Sequence, residues 1–123
     1  MKSGTIEGGG KVLYVISEEL KSHNEYISAR DIIIKSFIAP FNQILENAGV
    51  NKDDIISKVD NNHWFDAKSK QIVDLREYGI IDPASVAISA VTNALSIAGI
   101  VLTTECAIIS KKEKQVVNED NLI

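Results

Sequence analysis

The residues best suited to chemistry lie in two stretches, Tyr78-Gly79-Ile80-Ile81-Asp82-Pro83 and Gly8-Gly9-Gly10. In the first, Gly79 permits a tight turn with positive φ, Ile80 and Ile81 offer apolar surface beside it, and Asp82 leaves a carboxylate at the junction. Such a turn can hold a small planar ligand, since aliphatic side chains pack on a flat face and a carboxylate accepts from hydroxyls. The same residues fit a plainer role, in which Asp82 caps and Pro83 opens the helix that follows. The triple glycine precedes Lys11 to Leu20, where Val12, Leu13, Ile16 and Leu20 recur at helical spacing, so it sits where a loop turns into a helix. Backbone N–H groups at such a place can face an anion. Two phosphate-binding patterns fail: Thr5 and Val12 replace required residues of a P-loop, and Leu13 occupies the third glycine position of a dinucleotide fingerprint. A flexible loop, a helix start and a ligand-contacting loop all stay open for the glycines.

Elsewhere the chemistry thins out. Asp53 and Asp54 are adjacent, but they fall in the first turn of a short helix capped by Asn51, where the helix dipole accounts for them better than acid–base work. His23 and His63 lie far apart and Cys106 is the single cysteine, so no spaced set of ligands predicts a protein-only metal site and no internal disulfide can form. Cys106 fits a reducing compartment. His63-Trp64 raises a stacking site, yet a lone aromatic pair reads better as an anchor packing a hairpin. Asp66 reads as a hairpin-turn aspartate. No nucleophile with a paired base can be assembled, so no catalytic residue is assigned.

The elements that must position these residues follow from periodicity. A glycine loop over 1–10 leads into helices over 11–59. Ser28-Ala29-Arg30-Asp31 resembles a capping box, and Ile34, Phe37, Ile38, Phe41, Ile44, Leu45 and Ala48 form an apolar stripe ended by Gly49. Pro40 within the stripe predicts two helices or a kink. A hairpin is expected over 60–77, from the β-prone runs His63-Trp64-Phe65 and Gln71-Ile72-Val73 around Asp66-Ala67-Lys68-Ser69. The turn at 78–83 then opens a long helix over 83–102, followed by a strand over 103–110 and a charged tail over 111–123. The uncharged run from Pro83 to Thr104 is long enough to raise a membrane span, but Ser85, Ser89, Thr92, Asn93 and Ser96 share one face, and a buried amphipathic helix is the better reading.

With 45% hydrophobic and 24% charged residues among 123, the chain is globular and amounts to one domain or part of one. A net charge of -4 and the lack of a basic patch with interleaved aromatics exclude a nucleic-acid footprint. Met1-Lys2 and the glycine-rich run that follows contain no apolar signal-peptide core, which predicts an intracellular protein and no membrane partner.

Gly8-Gly9-Gly10, Phe65-Asp66-Ala67, Tyr78 to Pro83 and Leu102-Thr103-Thr104-Glu105, in this order and spacing from about Ile6 to Ser110, resemble the C-terminal part of the equatorial domain of a group I chaperonin of the GroEL/Hsp60 family. The resemblance implies a mainly α fold, the helical half of an equatorial ATPase domain with a small β-hairpin and a C-terminal strand. It implies an ATP-driven folding machine built as a ring of chaperonin subunits, in the cytoplasm or an organelle matrix, with a co-chaperonin and unfolded clients engaged by domains that this chain does not contain. Carried over residue by residue, it brings the backbone of Gly9 to the nucleotide, gives Asp82 the ribose hydroxyls and Ile80 the adenine, and lines the base pocket with Asp66, Ala67 and Lys68. Magnesium would be held by the phosphates and by residues outside this chain.

The family's Gly-Asp-Gly-Thr-type phosphate loop and its water-activating aspartate have no counterpart in the sequence, so the resemblance implies a C-terminal fragment that is inactive alone, with apolar helix faces left exposed. The alternative is a free-standing helical interaction module on the same scaffold, without nucleotide use.

Overall fold

The computed structural model describes residues 4–104. It opens with a short strand, β1 (Thr5–Glu7), and the glycine loop, and then α1 (Lys11–Leu20) begins directly after Gly10. Gly10 stands at the helix N-cap with φ 72 and no side-chain cap, a left-handed conformation in which a Cβ is strained. Space forbids a side chain as well, because a Cβ on Gly10 would lie 3.0 Å from the backbone nitrogen of Phe41. The absence of that one atom lets α1 start flush against the next helix.

That helix, α2 (Ile27–Ala48), is continuous. Of the two outcomes expected at Pro40, a break into two helices does not occur: Pro40 lies on the exposed side, while Phe41 and Leu45 after it are fully buried. The start also differs from expectation. Tyr26, with φ 49, is the N-cap, and the Ser28 capping box does not form, since Asp31 instead accepts from the Arg30 guanidinium at 3.0 Å. Gly49 ends α2 as expected, with Val50 N–H reaching back to the Leu45 carbonyl at 3.3 Å. In α3 (Lys52–Ile56) the side chain of Asn51 accepts from the N–H of Asp54, with Asp53 and Asp54 in the first turn.

The hairpin forms from β2 (Trp64–Asp66) and β3 (Gln71–Val73), antiparallel, with Phe65 opposite Ile72. Trp64, Phe65, Val73 and the following Leu75 join Phe41, Leu45 and Ile55 in one core. Three aromatic rings meet there: Trp64 lies 4.7 Å from Phe41 and 5.4 Å from Tyr14, centroid to centroid. The anchoring role expected of Trp64 is thus its packing role. Lys11 is the unusual member of this region. It is only 4% exposed, with its ammonium 2.7 Å from Glu7, 2.5 Å from the Asn61 carbonyl and 5.9 Å above the Trp64 ring. Every contact a buried cation needs is supplied locally.

The segment 78–83 is not a turn running straight into a helix. Ile81–Pro83 is a strand, β4, paired antiparallel with β1, with Ile6 opposite Asp82. The last helix, α4 (Ala84–Thr103), begins one residue after Pro83, so neither Asp82 nor Pro83 takes the capping role that residue type alone suggests. Pairing with β1 holds both residues extended, and proline is tolerated because it sits on an edge strand. Thr103 is helical rather than the start of a strand, and the remainder of the expected strand and tail, 105–123, lies outside the described residues.

Residues up to Ala90 form one compact unit, and those from Val91 form a second. Along α4 the expected burial does not occur: Val86, Ile88, Leu95, Ile97, Ile100, Val101 and Leu102 are all exposed, Leu102 at 84%. Length and composition alone would let α4 cross a membrane, although its stripe of hydroxyls and one amide would go unpaired in hydrocarbon. Its pattern marks a helix, but burial depends on what packs against it, which the segment does not encode.

Replacing Gly10 by alanine should combine left-handed strain with a clash on Phe41 and destabilise the fold by about 2 kcal/mol or more, read as a lowered melting temperature. Exposed α4 should also drive self-association. Light scattering should show species larger than a monomer, with a shift toward monomer in an Ile97→Lys, Leu102→Lys double variant; a monodisperse monomer of the unsubstituted chain would contradict this.

Candidate functional site

The glycine loop joins the two regions that carry the candidate residues. On one side Gly8 donates its N–H to the Ile80 carbonyl at 2.9 Å, and Ile80 donates its own to Leu75 at 2.8 Å. These bonds continue the β1–β4 pairing into the turn, where Gly79 has the positive φ expected of it. A Cβ on Gly8 would lie 3.2 Å from the Ile80 side chain and 3.4 Å from a carboxylate oxygen of Asp82. The bare backbone of Gly8 therefore forms the floor between an aliphatic side chain and a carboxylate. Asp82 is exposed, and among the described residues its carboxylate takes no hydrogen bond.

On the other side, Gly9 faces the hairpin. It has φ 67, and a Cβ there would meet Trp64 at 3.3 Å and the Phe65 carbonyl at 3.7 Å. The indole N–H of Trp64 donates to the Gly9 carbonyl at 3.2 Å. Among the described residues, no backbone acceptor is placed for the N–H groups of Gly9 and Gly10. The loop thus has two N–H groups with no placed backbone acceptor, and Gly8 before them lies against the carboxylate of Asp82.

Asp66 is differently engaged. It is 8% exposed, and its carboxylate accepts from the hydroxyl of Ser69 at 2.6 Å, the N–H of Lys68 at 3.0 Å and the N–H of Ser69 at 3.2 Å. The Ser69 hydroxyl, followed by the Lys68 N–H, holds its carboxyl below the usual carboxylate range. This is the turn role that its place at the end of β2, just before the turn, suggests. Ala67 and Lys68 are exposed at the hairpin tip, and no hydrogen bond or ion pair among the described residues joins that tip to Asp82. The structure sets Gly8 against Ile80 and Asp82, sets Gly9 against Trp64 and Phe65, and keeps Ala67 and Lys68 at the hairpin tip.

Sequence reasoning missed three participants. Gly8 lies against Asp82; Lys11 ties the loop's helix to the chain before the hairpin; and the Trp64 N–H binds the loop. Lysine directly after the glycines was the available signal for the second. For the first and third no signal exists without knowing which segments pair.

The Asp66 turn predicts a pH dependence. Its folded carboxyl titrates below its unfolded value, so the stabilisation is complete above about pH 4 and is lost as pH falls through the folded value. Asp66→Asn should melt lower than the parent near neutrality, and the gap should close toward pH 3 in circular-dichroism melts. A constant gap would remove the carboxylate charge from the explanation.

The sequence profile of the TCP-1/cpn60 chaperonin family matches residues 1–112. Among curated relatives, the chain is 39% identical over 124 residues to a chloroplastic chaperonin GroEL of Cyanidium caldarium, covering 93% of this chain and 23% of that protein. It is 37% identical over 123 residues to chaperonin GroEL 3 of Acaryochloris marina, covering 92% of this chain and 23% of that protein. The chain therefore spans under a quarter of the length of these relatives. Among solved structures, the open-state monomer of a group II chaperonin from Methanococcoides burtonii superposes with a TM-score of 0.60 at 22% identity, covering 81% of this chain and 28% of that one, a likeness of fold. With its glycine loop set against the Ile80–Asp82 segment and the family profile matched over nearly its whole length, the chain belongs to the TCP-1/cpn60 chaperonin family and is of the GroEL/Hsp60 type.

Proposed function

We propose that this chain supplies the adenine and ribose side of the ATP pocket of an ATP-dependent chaperonin that assists protein folding, together with surfaces for assembly with other subunits. The observation that carries the reading is the Asp82 carboxylate. It is relieved of helix capping by the β1–β4 pairing, is exposed, and lies beside the bare backbone of Gly8 and the side chain of Ile80. A carboxylate beside an aliphatic side chain suits a ribose diol next to a base face. Gly9 would approach the nucleotide with its backbone. Ala67 and Lys68 would line the base from the hairpin tip; Asp66 would hold that tip in shape, because its oxygens already accept from Lys68 and Ser69.

Phosphoryl transfer requires metal, water and phosphate to be placed together, and the residues for that lie outside this chain, so the chain alone would not hydrolyse ATP. The exposed apolar residues of α4 would be covered by the rest of an equatorial domain or by neighbouring subunits. The matched relative from Cyanidium caldarium is named chloroplastic, which suits an organelle matrix, and the bacterial cytoplasm is the other setting for the family resemblance. The same exposed helix is what favours the second reading, an interaction module without nucleotide use.

The two readings part at Asp82. ADP should bind the chain, and Asp82→Ala should weaken that binding by about 10- to 100-fold, the worth of hydrogen bonds to a charged acceptor. ADP lacking both ribose hydroxyls should bind the parent and Asp82→Ala equally, since the interaction is already gone. Additive losses would move Asp82 off the ribose. An Asp82→Ala chain that changes only in melting temperature, with ADP bound by neither form, would favour the interaction module.

A further inference from the structure

We infer that Trp64 is the positioning residue of the glycine loop, holding through its indole N–H the peptide that the nucleotide meets. The inference rests on the pocket assignment above. Trp64 is 3% exposed, so its N–H must find an acceptor inside the protein, and among the described residues that acceptor is the Gly9 carbonyl at 3.2 Å.

The geometry gives this bond leverage. Gly9 and Gly10 both have left-handed φ values, and consecutive glycines leave the peptide between them free to rotate. That peptide is planar and trans, so its carbonyl and its N–H point in opposite directions. Turning the Gly9 carbonyl toward the indole therefore turns the Gly10 N–H away from it, and no backbone acceptor among the described residues takes that N–H. The indole is itself immobile. Phe41 packs at 4.7 Å, Tyr14 meets it edge-on at 5.4 Å, and the Lys11 ammonium, tied to Glu7 and Asn61, sits 5.9 Å from its centroid. A rigid ring thus sets the direction of a donor on the most flexible backbone in the site. Packing alone would need only an apolar ring, whereas this role needs the N–H.

The test is Trp64→Phe in the full chain, which keeps an aromatic ring and removes the donor. Amide hydrogen exchange at Gly8 and Lys11, whose N–H groups donate to the carbonyls of Ile80 and Gly8, measured without nucleotide, should speed up in the variant while the β2–β3 ladder stays protected. ADP affinity should fall by about three- to tenfold, the worth of one neutral hydrogen bond. Unchanged exchange in the loop overturns the inference while leaving the pocket assignment intact. Faster loop exchange with no ADP binding by the parent overturns the pocket assignment and the nucleotide role of Trp64, and upholds the pinning of the loop. If Trp64→Phe does not fold, the parent decides, because it contains one tryptophan and so one indole N–H resonance. Slow solvent exchange of that proton and a shift on adding ADP uphold the inference; exchange at the rate of a free indole overturns it.

Discussion

The antiparallel pairing of Thr5–Glu7 with Ile81–Pro83 is the constraint on which the candidate site depends. It joins the first strand to a segment that follows the hairpin, far away in sequence, and its continuation from Gly8 to Ile80 lays the glycine loop across the turn. Without it Asp82 would be free to cap α4 and Gly8 would have no reason to lie beside it. A local choice of backbone state, strand rather than helix cap, thereby decides what one carboxylate is available to do. Such pairings must overcome a large loop-closure entropy before any contact rewards them, so they depend on the core formed by Phe41, Leu45, Trp64 and Phe65 to bring the ends close.

Local signals in the sequence were legible where one segment decides its own fate. The Gly49 stop, the Asn51 cap with Asp53 and Asp54 behind it, and the Trp64–Asp66 hairpin with Asp66 in its turn all depend on neighbours within a few residues. Pro40 does not split the helix, because proline's penalty depends on which side of the helix it occupies, and here the side is solvent. Ser28 misled because its supposed box partner, Asp31, is claimed by Arg30. The Asp82-Pro83 cap failed for the opposite reason: the residues are right for a cap, but a strand far away in sequence takes them first. The candidate site was legible as a set of residues and not as an arrangement. Gly9, Ile80 and Asp82 could be named from types and resemblance, while the contacts of Gly8, Lys11 and Trp64 exist only through pairing.

Charge is placed in this unit according to how well it can be compensated. Lys11, buried, is surrounded by a carboxylate, a carbonyl and an aromatic face. Asp66, nearly buried, accepts three hydrogen bonds from its own turn. Asp82, uncompensated among the described residues, is left in water. The two satisfied charges shape the backbone, and the unsatisfied one is the group with capacity to spare for a ligand.

The β1–β4 ribbon has three residues on each strand, and a two-stranded sheet of that length is marginal by itself. Anything that grips both Asp82 and the glycine loop also clamps the ribbon, so occupancy and strand pairing become two sides of one equilibrium. The two strands are then tied more firmly as the ligand concentration rises, by RT ln(1 + [L]/Kd). A binding site assembled from the first and last of the described strands acts as a latch on the fold that presents it.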